Sequence, residues 1–234
     1  MVPARRSARE RVRAEITREI TDIARAQLAA DGAAGLSLRA VARDLGMVSS
    51  AVYRYFASRD ELLTALIIDG YNAIGEAVEE AEAGCRRDDY PGRWRAACRA
   101  ARAWALAHPH EYALIYGSPV PGYEVPPDTI VPAARSAAVF GRLISDAHAA
   151  GELAPAPDGP PIPNVLAEDA SRLRDSVLPG VPDEVAIGAL TAWSAIFGVV
   201  SFELFGQFNN VVTDNAAYFD RAVTDLGRLM GLAA

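Results

Sequence analysis

Apolar residues recur at helical spacing along nearly the whole chain, and no stretch shows the strict alternation of a half-buried strand. The pattern predicts an all-α protein. A first helix is expected over Ala14–Ala30, with Ile16, Ile20, Ile23 and Gln27/Leu28 on one face and Gly32 as its stop. A second follows Ser37, a good N-cap, with Leu38, Val41, Ala42 and Leu45 at i, i+3, i+4 and i+7, and closes at Gly46. A short third, Ser49–Phe56, comes after that glycine. Ser58-Arg59-Asp60-Glu61 reads as a capping box, in which the Ser58 hydroxyl caps the Glu61 amide and the Glu61 carboxylate reaches back. It opens a long helix to about Gly84, carrying Leu62, Leu63, Leu66, Ile67 and Tyr71.

Further helices are expected over Gly92–Ala107, Pro109–Tyr116, Ile130–Ala149, Val165–Val177, Pro182–Phe208 and Asp214–Gly231. Gly117–Pro132 and Ala154–Asn164 are too rich in Pro and Gly for helix and read as loops. Residues 1–13 read as a mobile basic arm. A chain of 234 residues suits one small helical unit, residues 1–60, followed by a larger helical domain, residues 61–234.

Charge sharpens this division. The net charge of -7 argues against a nucleic-acid partner, but its distribution reverses the argument. Residues 1–60 carry eleven arginines against seven acids, a balance of +4, and the remainder carries -11. A basic head on an acidic body is what a protein needs when only the head meets phosphate. All 23 basic residues are arginine, whose planar fork fits phosphate or guanine where lysine offers a point charge.

Hydrophobic residues form 51% of the chain, enough for a sizeable core. Val185–Phe202 lacks charge over the length of a membrane span. Its Gly, Ala, Ser and Thr content, with Glu203 at its end, reads instead as a helix buried on most sides of a soluble domain. Cys85 and Cys98 form no CxxC and no metal-ligand spacing, and the N-terminus lacks the apolar core of a signal peptide, so a reduced cytoplasmic setting is expected. No cofactor is expected.

The chemistry concentrates in Ser37–Leu63. A positive φ at Gly46 would allow a sharp angle between helices two and three. Helix three would bury Val52 and Phe56 and part of Tyr53 or Tyr55. Its other face offers Ser49, Ser50, Ala51, Arg54 and a tyrosine, and small residues at its start would let the backbone approach base edges in a major groove. One of the two tyrosines is expected to pack and the other to reach phosphate. Arg59, at the start of the next helix, suits a phosphate.

Tyr53-Arg54-Tyr55-Phe56, Arg59 and Leu62-Leu63 fall in register behind the turn, and this segment, from Ile16 through Leu66, resembles the helix-turn-helix signature of the TetR (tetracycline repressor) family. The resemblance implies an all-helical homodimer that binds palindromic operator DNA and releases it when a small molecule enters the C-terminal domain, most commonly as a repressor. Carried over, the groove-facing positions are Ser49, Ser50, Ala51 and Arg54, and the phosphate positions are Ser37, Arg39, Tyr53 and Arg59. The family often has Lys at Arg59 and Ser or Thr at Val48. Val48 cannot cap with a hydroxyl, so Ser49 is expected to take over.

In the C-terminal domain, Trp193-Ser-Ala-Ile-Phe197-Gly198 followed by Phe202-Glu203 resembles a subgroup of these regulators named for a Trp, a His and a Gly, with Phe197 at the His position. That helix carries a bulky stripe (Leu190, Trp193, Phe197, Val200, Leu204) and a small one (Thr191, Ala195, Gly198, Ser201), and with Asp214–Gly231 it could supply two helices per subunit to a dimer bundle. A cavity for an apolar or aromatic effector is expected between Trp104, Tyr112, Tyr116, Trp193 and Phe197. His108-Pro109-His110-Glu111 reads as a helix end and a helix start rather than a metal site. The chain contains no GxSxG, no HExxH and no phosphate loop, so an enzyme is not expected. A helical module that binds only protein is the remaining rival; it predicts that Arg54 and Tyr53 are dispensable.

Overall fold

A computed structural model describes residues 7–153 and 162–232. These form ten α-helices and two short 3₁₀ turns, with no strand among the described residues. The helices are α1 (Ala8–Gly35), α2 (Leu38–Asp44), α3 (Ser49–Val52), α4 (Arg59–Ala83), α5 (Tyr90–Ala107), α6 (Pro109–Tyr116), α7 (Ile130–Ala149), α8 (Ala167–Ser176), α9 (Asp183–Leu204) and α10 (Asn215–Leu229).

Most expected elements are present, and the differences are informative. α1 begins at Ala8, so residues 8–13 of the expected arm are helical with Ser7 as the N-cap, and residues 1–6 lie outside the described residues. The cause is a capping box that the sequence carries openly: the Glu10 amide donates to Ser7 Oγ at 3.2 Å, and the Ser7 amide donates to Glu10 Oε2 at 2.7 Å. Gly32 ends the first helical run as expected, with φ 69° and ψ 178°, and a short second helical turn continues beyond this kink to Gly35. α3 holds only four residues; beyond Val52 the chain tightens into i→i+3 bonds, Arg54 to Ala51 and Tyr55 to Val52. At α4 the Ser58 hydroxyl caps Glu61 as expected, at 3.1 Å, but the Glu61 carboxylate reaches the Ala57 amide, one residue earlier than a capping box requires.

Downstream, Pro109–Tyr116 and Ile130–Ala149 have the expected bounds. The expected loop through Pro132 is shorter, because a 3₁₀ turn at Pro127–Thr129 runs into α7 and Pro132 falls in the first helical turn, where its missing N–H is harmless. Of the loop expected at Ala154–Asn164, residues 154–161 lie outside the described residues, and Asn164 opens a 3₁₀ turn before α8.

The chain divides into two compact units, one running to Gly70 and including His110–Thr129, the other comprising Tyr71–Pro109 and the residues from Ile130 onward. The boundary expected at 60/61 falls at the first turn of α4, which runs through the division between units. In the first unit, Ile20, Ala24 and Leu28 of α1, Val41 of α2, Val52 and Phe56, and Leu62, Leu63 and Leu66 of α4 are buried. Apolar burial at about 25 cal/mol per Å2 is the main force holding so small a bundle together. Thr64 Oγ1 and Tyr123 Oη lie 2.8 Å apart and fasten the loop after α6 to α4.

In the second unit α9 packs on α5, α7, α8 and α10. By length and composition α9 could cross a membrane. Its buried face is Val185, Ala189, Ala192, Ile196 and Val200, with Phe197 beside it, so the core stripe runs through Ile196 rather than through Leu190, which is 42% exposed. Arg93, 2% exposed, bridges Glu82 at 2.5 Å and Asp146 at 2.7 Å, joining the end of α4 to α5 and α7. Arg102 and Glu203 form a two-pronged pair between α5 and α9, at 2.6 and 2.7 Å.

Candidate nucleic-acid interface

Three short elements of the first unit set up one exposed face. α2 is held at both ends by a single buried side chain of α1. Gln27 Oε1 accepts from the Ser37 amide at 3.3 Å, and Gln27 Nε2 donates to Asp44 Oδ2 at 3.2 Å. Sequence reasoning placed Gln27 on the packing face and missed this role; a lone glutamine among apolar core positions was the available signal. Ser37 caps α2, its hydroxyl accepting from the Ala40 amide at 3.5 Å. Gly46 then turns the chain with φ 66°, a left-handed conformation that glycine reaches without steric cost.

α3 follows with Val48 as its N-cap, 70% exposed and without a side-chain cap bond. The expected replacement of the cap by Ser49 does not occur; Ser49 is the first helical residue. Val52 and Phe56 face the core. Ser50, Tyr53 and Arg54 are exposed, while Ser49, Ala51 and Tyr55 are half-buried. Of the two tyrosines, Tyr53 points outward at 42% exposure, and Tyr55 lies beneath the Arg13 guanidinium, 5.0 Å from the ring centroid. Arg13 Nη2 also donates to the Arg54 carbonyl at 3.4 Å. The first turns of α1 therefore brace the reading segment, a relationship hidden while residues 1–13 read as an arm.

Arg39 is exposed and has no hydrogen bond or ion pair among the described residues. Arg59 differs. Its Nη2 donates to the Ala33 carbonyl at 2.6 Å and its Nη1 lies 3.6 Å from Asp60, so the guanidinium expected at a phosphate ties the start of α4 to the end of α1. With Arg9, Arg13, Arg39 and Arg54 exposed, the unit offers a cationic surface around a serine-bearing helix start, the arrangement that positions a protein on a phosphate backbone while side chains reach base edges.

The second unit contains a cavity of about 140 Å3 between α5, α7, α8 and α9, walled by Trp94, Phe140, Ile144, Leu178, Leu190 and Trp193 among others. Of the five residues expected to line an effector cavity, Trp193 walls this one. Phe197 packs against Trp193 with centroids 5.0 Å apart but stays in the core. Trp104 stacks on His108 at 5.1 Å, and Tyr112 and Tyr116 of the first unit pack together at 5.1 Å. His108 caps α5 and Pro109 opens α6, as read from the sequence. On α7, Arg135 grips α4: its Nε and Nη2 donate to Glu79 at 2.9 and 2.7 Å, and its Nη1 to the Asn72 carbonyl at 3.0 Å. The hydrogen bond from Arg135 holds the Glu79 carboxyl below its ordinary pKa.

A short helix behind a glycine turn, presented from a cationic three-helix unit, defines a helix-turn-helix DNA-binding protein. Comparison with known proteins agrees. The family described as bacterial regulatory proteins, tetR family, matches residues 20–66, and the tetracyclin repressor-like C-terminal domain matches residues 94–226. HTH-type transcriptional regulators of Mycobacterium tuberculosis and Mycobacterium bovis are 42% identical over 222 residues, covering 94% of this chain and 92% of theirs. The crystal structure of the regulatory protein SCO4313 is 38% identical, with a TM-score of 0.76 over 94% of this chain and 98% of that one. A tetR-family regulatory protein of Rhodococcus RHA1 shares the fold at 21% identity, with a TM-score of 0.62 over 93% of this chain and 98% of that one. The chain belongs to the TetR family of DNA-binding transcriptional regulators, and its relatives are regulators rather than enzymes.

Proposed function

We propose that this chain is a cytoplasmic repressor that binds a palindromic operator as a homodimer and releases it when a small apolar or aromatic molecule occupies the second unit. The observation that carries the reading is the outward side of α3: Ser50, Tyr53 and Arg54 stand exposed on a segment whose Val52 and Phe56 are locked in the core. Ser49, Ser50, Ala51 and Arg54 are the residues assigned to base edges. Ser37, Arg39, Tyr53 and the half-buried Tyr55 are assigned to the backbone, with Arg59 as a brace that helps to set their position. A rod lying in the major groove reads a half-site, and two such rods about one turn apart, roughly 34–36 Å, read a palindrome.

Dimerisation is supported by α9 and α10. Leu190, Phe202, Phe205 and Tyr218 are each more than two-fifths exposed, and Thr191, Ala195, Gly198 and Ser201 leave a shallow track for a second helix to approach. Each subunit would present the same surface, which closes a twofold dimer.

Release is a shift between two populations. The effector must favour the form that cannot span the operator, and a 100-fold preference corresponds to about 2.7 kcal/mol. α7 walls the cavity and Arg135 ties α7 to α4, so a change in the cavity wall has a hydrogen-bonded route to the helix that carries Arg59. Electrophoretic shift with the DNA upstream of the chain's own coding region tests the reading. A salt-sensitive, sequence-selective complex of two chains per operator is expected; the lack of any such complex overturns it.

A further inference from the structure

We infer that the cavity between α5, α7, α8 and α9 takes an uncharged molecule about the size of toluene and recognises it by shape, without a hydrogen bond. This deepens the effector reading above and rests on it only for the consequence at DNA. The walls carry no carboxylate, guanidinium, amide or hydroxyl: all residues that line the space are Ala, Gly, Val, Leu, Ile, Phe or Trp. The two indoles do not change this. Trp94 Nε1 donates to the Val223 carbonyl at 2.9 Å, and Trp193 Nε1, though it lacks a hydrogen-bond partner, is itself buried and presents no surface to the space.

Size sets the second limit. At about 140 Å3 the space, which opens outward past Leu190, is close in volume to the ~150 Å3 apolar cavity that admits benzene. Water inside finds no side-chain polar partner on the walls. Gly141 closes one side, since a Cβ at that position would run into the Val177 carbonyl, so α7 and the end of α8 meet backbone to backbone. Leu190, 42% exposed, stands at the outer rim of the wall. A hydroxyl carried inside would lose its water without replacement, and a carboxylate would lose far more.

Calorimetric titration of the full chain with toluene, phenol and benzoate tests this. Toluene is expected to bind saturably, phenol at least tenfold more weakly despite its similar size, and benzoate not measurably. Ala137→Phe, which fills the space from α7, is expected to abolish the toluene signal, and the milder Ala137→Leu to weaken it, each variant first shown to be folded by circular dichroism. Phenol or benzoate bound as tightly as toluene overturns the inference, as does a toluene signal unchanged in both folded variants. A gel shift on the same samples separates the two readings. Toluene that binds without altering operator affinity leaves the cavity inference standing and removes the effector role; operator binding in a protein that takes up no toluene does the reverse.

Discussion

The guanidinium of Arg13 lies over the ring of Tyr55, 5.0 Å from its centroid, while its Nη2 donates to the carbonyl of Arg54 at 3.4 Å. One residue of α1 thus holds two consecutive residues of the reading segment. An exposed cation–π contact is worth about 0.5–1 kcal/mol. Arg13→Ala is therefore expected to weaken operator binding by roughly two- to fivefold, with helix content unchanged and Arg13→Lys intermediate. Fluorescence anisotropy with a labelled operator measures it; an Arg13→Ala protein with unaltered affinity removes the bracing role.

Arg54 and Arg39 are both exposed arginines, but their proposed tasks differ. Arg54→Ala is expected to cost about 1–3 kcal/mol on the best operator and to relax preference at one base position. Arg39→Ala is expected to weaken all sequences alike and to lower the salt slope by about 1. Binding titrations across a salt series and a set of single-base operator variants distinguish them. Unchanged binding in both variants would favour the protein-only rival.

Gly46 has φ 66° with open space where a Cβ would stand, so substitution there meets backbone strain alone. The left-handed region costs an L-residue roughly 1–2 kcal/mol. Gly46→Ala is expected to lower stability by about that amount and to weaken DNA binding further, because the angle between α2 and α3 relaxes. Urea denaturation alongside anisotropy reads both effects; a variant as stable as the parent contradicts the assigned strain.

The Arg135–Glu79 pair predicts a pH dependence. The Arg135 hydrogen bond lowers the Glu79 pKa in the folded chain, so the pair's contribution is present above the ordinary carboxylate range and is lost as pH falls through the depressed value. Both side chains are about one-third exposed, so solvent screening limits the effect to well under about 1 kcal/mol. Glu79→Gln is expected to flatten the acid limb of stability between pH 7 and 3, and to reduce the effect of a cavity ligand on operator affinity. A ligand response identical to the parent's would remove Arg135 from the route between α7 and α4.

Much of this protein is written locally. Ser37 before Leu38, Gly46 after Leu45, and Pro109 after His108 mark helix ends through caps, positive φ and a missing N–H, all of which act within a few residues. Val52 and Phe56 follow from spacing alone, and so does the exposed side of α3 opposite them. Ser7 and Glu10 belong to the same class, a capping box whose two residues lie within one turn of each other.

Tertiary structure decided what depends on partners far along the chain. Gln27 holds Ser37 and Asp44, Arg59 turns to Ala33, and Arg13 meets Tyr55, and none of these pairings has a sequence spacing that announces it. The cavity is the clearest case. A sequence shows which aromatics exist, but whether Trp193 walls a void while Phe197, one helical turn further on, fills the core depends on how four helices meet, and that is fixed by the summed shape of their side chains.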